Sequence, residues 1–256
     1  MKRFIRVFIK AARQNPAKVL QYFMLVFLFG LAFFLPLYGI RRQASESVSE
    51  SVDEKWETEL LDVRGTIVLD AGHGGFDGGM VGGSGISEKE LNLIYAKKLG
   101  DLLEKAGYRV VQTRVSDAGL YDEDHANKKA QDMQRRCAVI EQEKPLLTVS
   151  IHQNSYPQDT SVCGPQVFYY EQSKEGEKLA AVIQEHLNNM KNVMRQRKEK
   201  GNASYYILKR SASTTVIVEC GFLTNPQEEA LLQQESYQEQ VVQAIYNGII
   251  QYLNES

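Results

Sequence analysis

Cysteine is scarce in this 256-residue chain: Cys137, Cys163 and Cys220 are the only three, and no CxxC pair occurs among them. That odd, scattered set excludes a disulfide framework and a cysteine-built zinc site. If the chain is exported, one disulfide stays open, and spacing does not choose its pair. A basic surplus is missing too, since the net charge is -2, and this argues against a general nucleic-acid binder. No G-K-[ST] follows a glycine run, and Asp77 stands where G-x-G-x-x-G needs its third glycine. The glycine-rich stretch from Gly72 is therefore no phosphate cradle. No internal period of the solenoid kind is visible.

Long apolar runs are absent except in one place. Tyr22 to Ile40 reads YFMLVFLFGLAFFLPLYGI, close to the ~20 apolar residues that cross a bilayer core. Lys2, Arg3, Arg6, Lys10, Arg13 and Lys18 precede it, and only Arg41 and Arg42 follow before an acidic stretch. This excess of positive charge predicts an N-terminus in the cytoplasm and the rest of the chain outside the membrane. A cleaved signal peptide competes, but the run exceeds the usual ~7–15 residues of such a core. Arg41 and Arg42 also sit where small residues are wanted, with Ala44 and Ser45 as weak substitutes. The expected organisation is a basic cytoplasmic segment over 1–18, a transmembrane anchor over 19–40, a Ser/Glu-rich solvated tether over 41–63 and one extracytoplasmic domain over 64–256.

That domain alternates β-branched runs with amphipathic stretches. Thr66–Leu69, Arg109–Thr113, Leu146–Ile151, Gln166–Tyr170, Tyr205–Leu208 and Thr215–Glu219 read as strands. Helices are expected from the Ser87/Glu90 capping box to Gly107, over Lys128 to Glu143, from Gly176 to about Met194, and over Ser236–Leu253. The pattern predicts a single α/β domain with a twisted, mainly parallel or mixed sheet covered by helices on both faces.

Ligands collect outside the carboxyl ends of strands in open α/β sheets. His73 follows the first strand, His152 closes TVSIH, and Glu219 closes TVIVE, while Glu88 opens the first helix after the glycine stretch. Glu88 also has a plain explanation, because an acid in the first turn favours the positive end of the helix dipole. A carboxylate within an apolar strand, as at Glu219, is costly unless it is paired or bound to a cation. Cys220 faces the opposite side by strand alternation and reads as core. His125 in a charged loop and His186 on a helix face read as surface or structural groups, and Arg195 to Lys200 as a solvated charged run. Two histidines and a carboxylate suit a zinc ion with a fourth position open. A second carboxylate beside it suits proton transfer in hydrolysis.

LDAGHGGFDGG, GISEKEL, TVSIHQNS and TVIVECGFLTNPQEE, in that order, resemble the motifs of bacterial zinc-dependent N-acetylmuramoyl-L-alanine amidases. The similarity covers about Thr66 to Leu253, and YYILKRS together with the anchor looks most like the sporulation amidases that help build muramic δ-lactam in spore cortex. The resemblance implies zinc ligands at His73, Glu88 and His152, and a catalytic acid/base at Glu219. It also implies peptidoglycan as the substrate, with room for an activator protein. Ala71 stands where relatives often carry proline, which alters turn stiffness but no ligand. Asn154 is a candidate substrate contact, Asp70 a candidate partner just outside the ligands, and the glycines are expected to keep the walls low around a bulky polymer. A zinc carboxypeptidase acting on wall peptides and a non-catalytic, membrane-tethered wall-binding protein are the competing functions.

Overall fold

The structure, a computed structural model, describes residues 63–255. The expected anchor over 19–40 lies outside the described residues, as does nearly all of the tether. Among the described residues no helix is long and apolar enough to cross a membrane.

Six strands form one sheet: β1 (Thr66–Ala71), β2 (Arg109–Gln112), β3 (Leu147–Asn154), β4 (Gln166–Tyr170), β5 (Lys200–Asn202) and β6 (Thr215–Phe222). Their order is β2-β1-β3-β6-β4-β5. The first four run parallel, β4 is antiparallel to β6, and β5 is parallel to β4, so the sheet is mixed. Every residue of β6 is buried, and β1 is buried from Ile67 onward, as expected of strands covered on both faces. Because β1 lies between β2 and β3, the chain leaves it first to one side and then to the other. That is the switch point at which such sheets open a crevice.

Among the described residues there are six helices: α1 (Glu88–Lys105), α2 (Lys128–Glu143), α3 (Lys174–Asn188), α4 (Tyr206–Arg210), α5 (Pro226–Leu232) and α6 (Glu235–Glu255), of which α1, α2, α3 and α6 lie where the sequence pattern places helices and α4 and α5 do not. The N–H and Oγ of Ser87 both donate to Glu90, starting α1, and Gly107 ends it with φ at 85°. Leu91, Tyr95, Leu99 and Leu103 recur at helical spacing and are buried. They join α3 and α6 side chains against Leu69, Val149, Ile151 and Val218 in the larger core, to which Cys220 also belongs. The opposite face carries a smaller core in which Val68, Phe168 and Ile217 meet Ile140 of α2 and Ile207 and Leu208 of α4.

Three local expectations change. Tyr205–Leu208 is not a strand: Asn202 Oδ1 accepts from the N–H groups of Ser204 and Tyr205, turning the chain into α4. The helix expected from Gly176 to Met194 begins at Lys174, where Ser173 accepts from Gly176 N–H, and ends at Asn188. The Asn188 side chain bonds the backbone of Arg197 in both directions, pulling the following segment back. The run from Arg195 to Lys200 is only partly solvated, since Arg197 donates to the Cys163 carbonyl and lies over the Phe222 ring, and Lys200 opens β5. All three cysteines are free thiols.

Candidate active site

His73, Glu88 and His152 come from three separate segments and meet at the carboxyl end of the parallel strands. Each offers one ligand atom, and these atoms lie within 4.8 Å of one another. Glu88 Oε1 is 2.8 Å from His152 Nδ1 and 3.2 Å from His73 Nε2. The two imidazoles stand nearly edge to face, with ring centroids 5.0 Å apart. On the sheet, Glu219 pairs in register with His152, and strand alternation puts both on the face that opens into the cleft. The cleft, of about 440 Å³, is also lined by Phe76, Asn154, Tyr205 and Tyr206.

The electrostatics follow from this crowding. Burial pushes the Glu88 carboxyl up, but the contacts from His152 and His73 outweigh it and hold the group well below the usual carboxylate range. Burial favours a neutral His152, yet its bond to Glu88 carries the ring the other way, to about 9. Glu219 has no comparable partner, and burial raises it to about 7 against the opposing pull of His152. Its Oε2 is buried and accepts no hydrogen bond.

These residues fit a zinc ion. Two imidazole nitrogens and a carboxylate oxygen are a donor set that zinc accepts, and three protein ligands are the number found in catalytic sites. Glycines make the cradle. A Cβ on Gly72 would collide with the His152 ring, and one on Gly79 would lie 2.5 Å from Glu88 Oε2 and 2.8 Å from the His73 ring. The expectation of low walls therefore needs correcting at these two positions, where hydrogen side chains let the candidate ligands pack against the loop. Among the described glycines only Gly78 and Gly85 face open space.

Asn154 lines the cleft at the end of β3. Asp70 touches neither imidazole. It lines the cleft itself, accepts from Thr113 Oγ1, Ser150 Oγ and Arg136 Nη1, and is tied to the His73 loop through Arg136, which also donates to the His73 carbonyl. His125 is exposed and accepts from Asn127 N–H, while His186 meets Gln251, so neither joins the cluster. None of residues 195–200 lines the cleft.

Sequence reading missed the groups that hold this arrangement. Asp77 Oδ1 lies 3.1 Å from His73 Nδ1, leaving Nε2 for Glu88. Asn92 joins Glu88 to the Gly72 carbonyl and to Gln153. The one signal available was at Asn92, one helical turn past Glu88, whereas Asp77 lies in the irregular loop between β1 and α1, where spacing carries no such signal.

The family profile described as N-acetylmuramoyl-L-alanine amidase matches residues 67–251. The germination-specific N-acetylmuramoyl-L-alanine amidase of Bacillus subtilis (strain 168) is 36% identical over 232 residues, covering 89% of this chain and 94% of that protein. The CwlD amidase from Clostridioides difficile, solved in complex with the GerS lipoprotein, shares 36% identity and superposes with a TM-score of 0.72 over 75% of this chain and 100% of that one. The catalytic domain of CwlV, an amidase from Bacillus (Paenibacillus) polymyxa var. colistinus, is 30% identical with a TM-score of 0.65, covering 75% of this chain and 99% of that one. The matched span includes His73, Glu88, His152 and Glu219, and the chain belongs to the N-acetylmuramoyl-L-alanine amidase family, hydrolases of peptidoglycan.

Proposed function

We propose that this amidase is zinc-dependent and membrane-anchored, that His73, Glu88 and His152 hold the ion, and that Glu219 moves the proton. The bond cut is the amide between the lactyl group of N-acetylmuramic acid and the L-alanine of the stem peptide. The convergence of three donor atoms within 4.8 Å, with an unpartnered carboxylate oxygen on the adjoining strand, carries this reading.

Zinc held there supplies a Lewis acid and lowers the pKa of water towards ~7. Glu219 accepts the proton as water attacks the lactyl carbonyl, and then delivers it to the L-alanine nitrogen, which leaves as an amine. Burial pushes the Glu219 carboxyl up from the ordinary carboxylate range, towards a group able both to take and to give a proton. Asp77 keeps the His73 ring turned so that Nε2 faces Glu88. Asn154 contacts the substrate from the end of β3.

The germination-specific relative supports a role in spore peptidoglycan, and the proposal extends to muramic δ-lactam formation in spore cortex. A relative in complex with a lipoprotein supports a protein partner for this chain. The apolar run from Tyr22 to Ile40 and its basic flank support a single-pass anchor over 19–40 with the domain outside the membrane.

A carboxypeptidase needs a free cation for the terminal carboxylate. Of the cations lining the cleft, Arg136 is held by Asp70 and Asp132, and Lys129 lies 3.3 Å from Asp77. Digestion of peptidoglycan with added zinc, followed by mass analysis, tests the reading. Stem peptides released intact with a free L-alanine amine are expected; removal of single C-terminal residues points to the carboxypeptidase. Retention of wall function by a zinc-loaded Glu219→Gln protein points to a binding role.

A further inference from the structure

Two arginines buried beside the cluster have no place in the chemistry. Arg136 is 1% exposed and Arg114 is 5% exposed. Arg136 Nη1 donates to the Ala71 carbonyl at 2.9 Å and Nη2 to the His73 carbonyl at 2.7 Å, while Asp70 and Asp132 hold the guanidinium at 2.6 Å each. Arg114 hydrogen-bonds carbonyls alone. Its Nε donates to Ala71 at 2.9 Å, Nη2 to Gly72 at 3.0 Å and to Lys89 at 2.8 Å, and Nη1 to Ser116 at 3.0 Å.

Three consecutive carbonyls, 71 to 73, are thus captured by two guanidiniums. This is the segment in which His73 adopts a left-handed backbone, with φ at 62°, a conformation that a residue bearing a side chain rarely takes unaided. The same Nη2 of Arg114 spans from Gly72 to Lys89, joining the loop before His73 to the first turn of α1, which carries Glu88. A planar fork with several fixed donors can make such bridges, and a lysine ammonium cannot reproduce them.

We infer that Arg114 and Arg136 are positioning residues that fix the His73 and Glu88 donor atoms relative to each other before an ion arrives. The inference rests on the zinc reading above. Burial of a guanidinium bonded only to neutral carbonyls is unfavourable, and the coupling of two ligand-bearing segments explains why Arg114 is there.

The test uses the full-length chain loaded with cobalt(II), read by its d–d absorption and by competition with a chelator. Arg114→Lys and Arg136→Lys are expected to weaken cobalt affinity by about 10–100-fold and to alter the absorption bands. Val241→Ala, in the core on the other sheet face, is expected to lower the melting temperature while leaving both readouts at wild type. Where an arginine variant fails to fold, Asp132→Asn, which weakens the outer anchor of Arg136 while keeping an oxygen for the Leu120 N–H, is expected to show a smaller shift of the same kind. Folded variants that match wild type in affinity and spectrum overturn the inference alone. A wild-type chain that binds no cobalt overturns the metal reading and this inference with it.

Discussion

At Glu219 two unfavourable conditions meet, because the carboxylate is buried and its Oε2 has no donor. An unsatisfied buried polar group costs about 1–3 kcal/mol, which a purely structural residue would shed. Glu219→Gln is nearly isosteric, so the protein is expected to keep its metal and its melting temperature. The turnover number is expected to fall by about 10²–10⁴-fold, measured on muropeptides beside metal content. Asp77→Asn acts differently: by loosening the His73 ring it is expected to weaken zinc binding by about 10–100-fold in a chelator competition. His73, His152 and Glu219 stood out in the sequence because each lies at or just after the end of an apolar run. Arg136 did not. On α2 it reads as one more charge on a polar face, and its partner Asp70 is distant in sequence, with only the packing of α2 on β1 bringing them together.

Among the elements, the loop between β1 and α1 shows why glycine content alone misleads. The same residue type serves close packing at Gly79 and open space at Gly78. Gly79→Ala is therefore expected to destabilise the domain and to reduce metal content, because its φ of 66° disfavours a side chain and the added carbon presses on Glu88 and His73. Gly78→Ala is expected to leave thermal stability and metal content near wild type in the same assays. The long elements were readable from periodicity and caps, as α1 and β6 illustrate. Short ones were not. In α4, Tyr206, Ile207 and Leu208 carry strand-like composition, and the turn built by Asn202 decides otherwise. The three residues of β5 lie in a charged segment that becomes a strand only by lying beside β4.

Over the whole molecule, two cores on opposite sheet faces leave the carboxyl edge of the parallel strands free for chemistry, and a buried ionic network ties that edge to α2. Burial alone raises Asp70, but Arg136 and the hydroxyls of Ser150 and Thr113 bring it down to about 2. A depressed folded-state value stabilises the fold above the unfolded value of 3.8 and loses that contribution as pH falls towards 2. The contribution is about 2 kcal/mol, so denaturant unfolding followed by circular dichroism is expected to show a steep loss of stability across that window. Asp70→Asn is expected to flatten the slope and, by leaving Arg136 short of a carboxylate, to lower stability at neutral pH by about 3–5 kcal/mol. Unchanged acid sensitivity in that variant would remove Asp70 from the account. The claim on which the rest depends is met most directly by anomalous diffraction at the zinc edge from crystals of the zinc-loaded protein. One peak in contact with His73, Glu88 and His152, with the Glu219 carboxylate beside it, is the predicted result; no peak there, or zinc held by other residues, contradicts it.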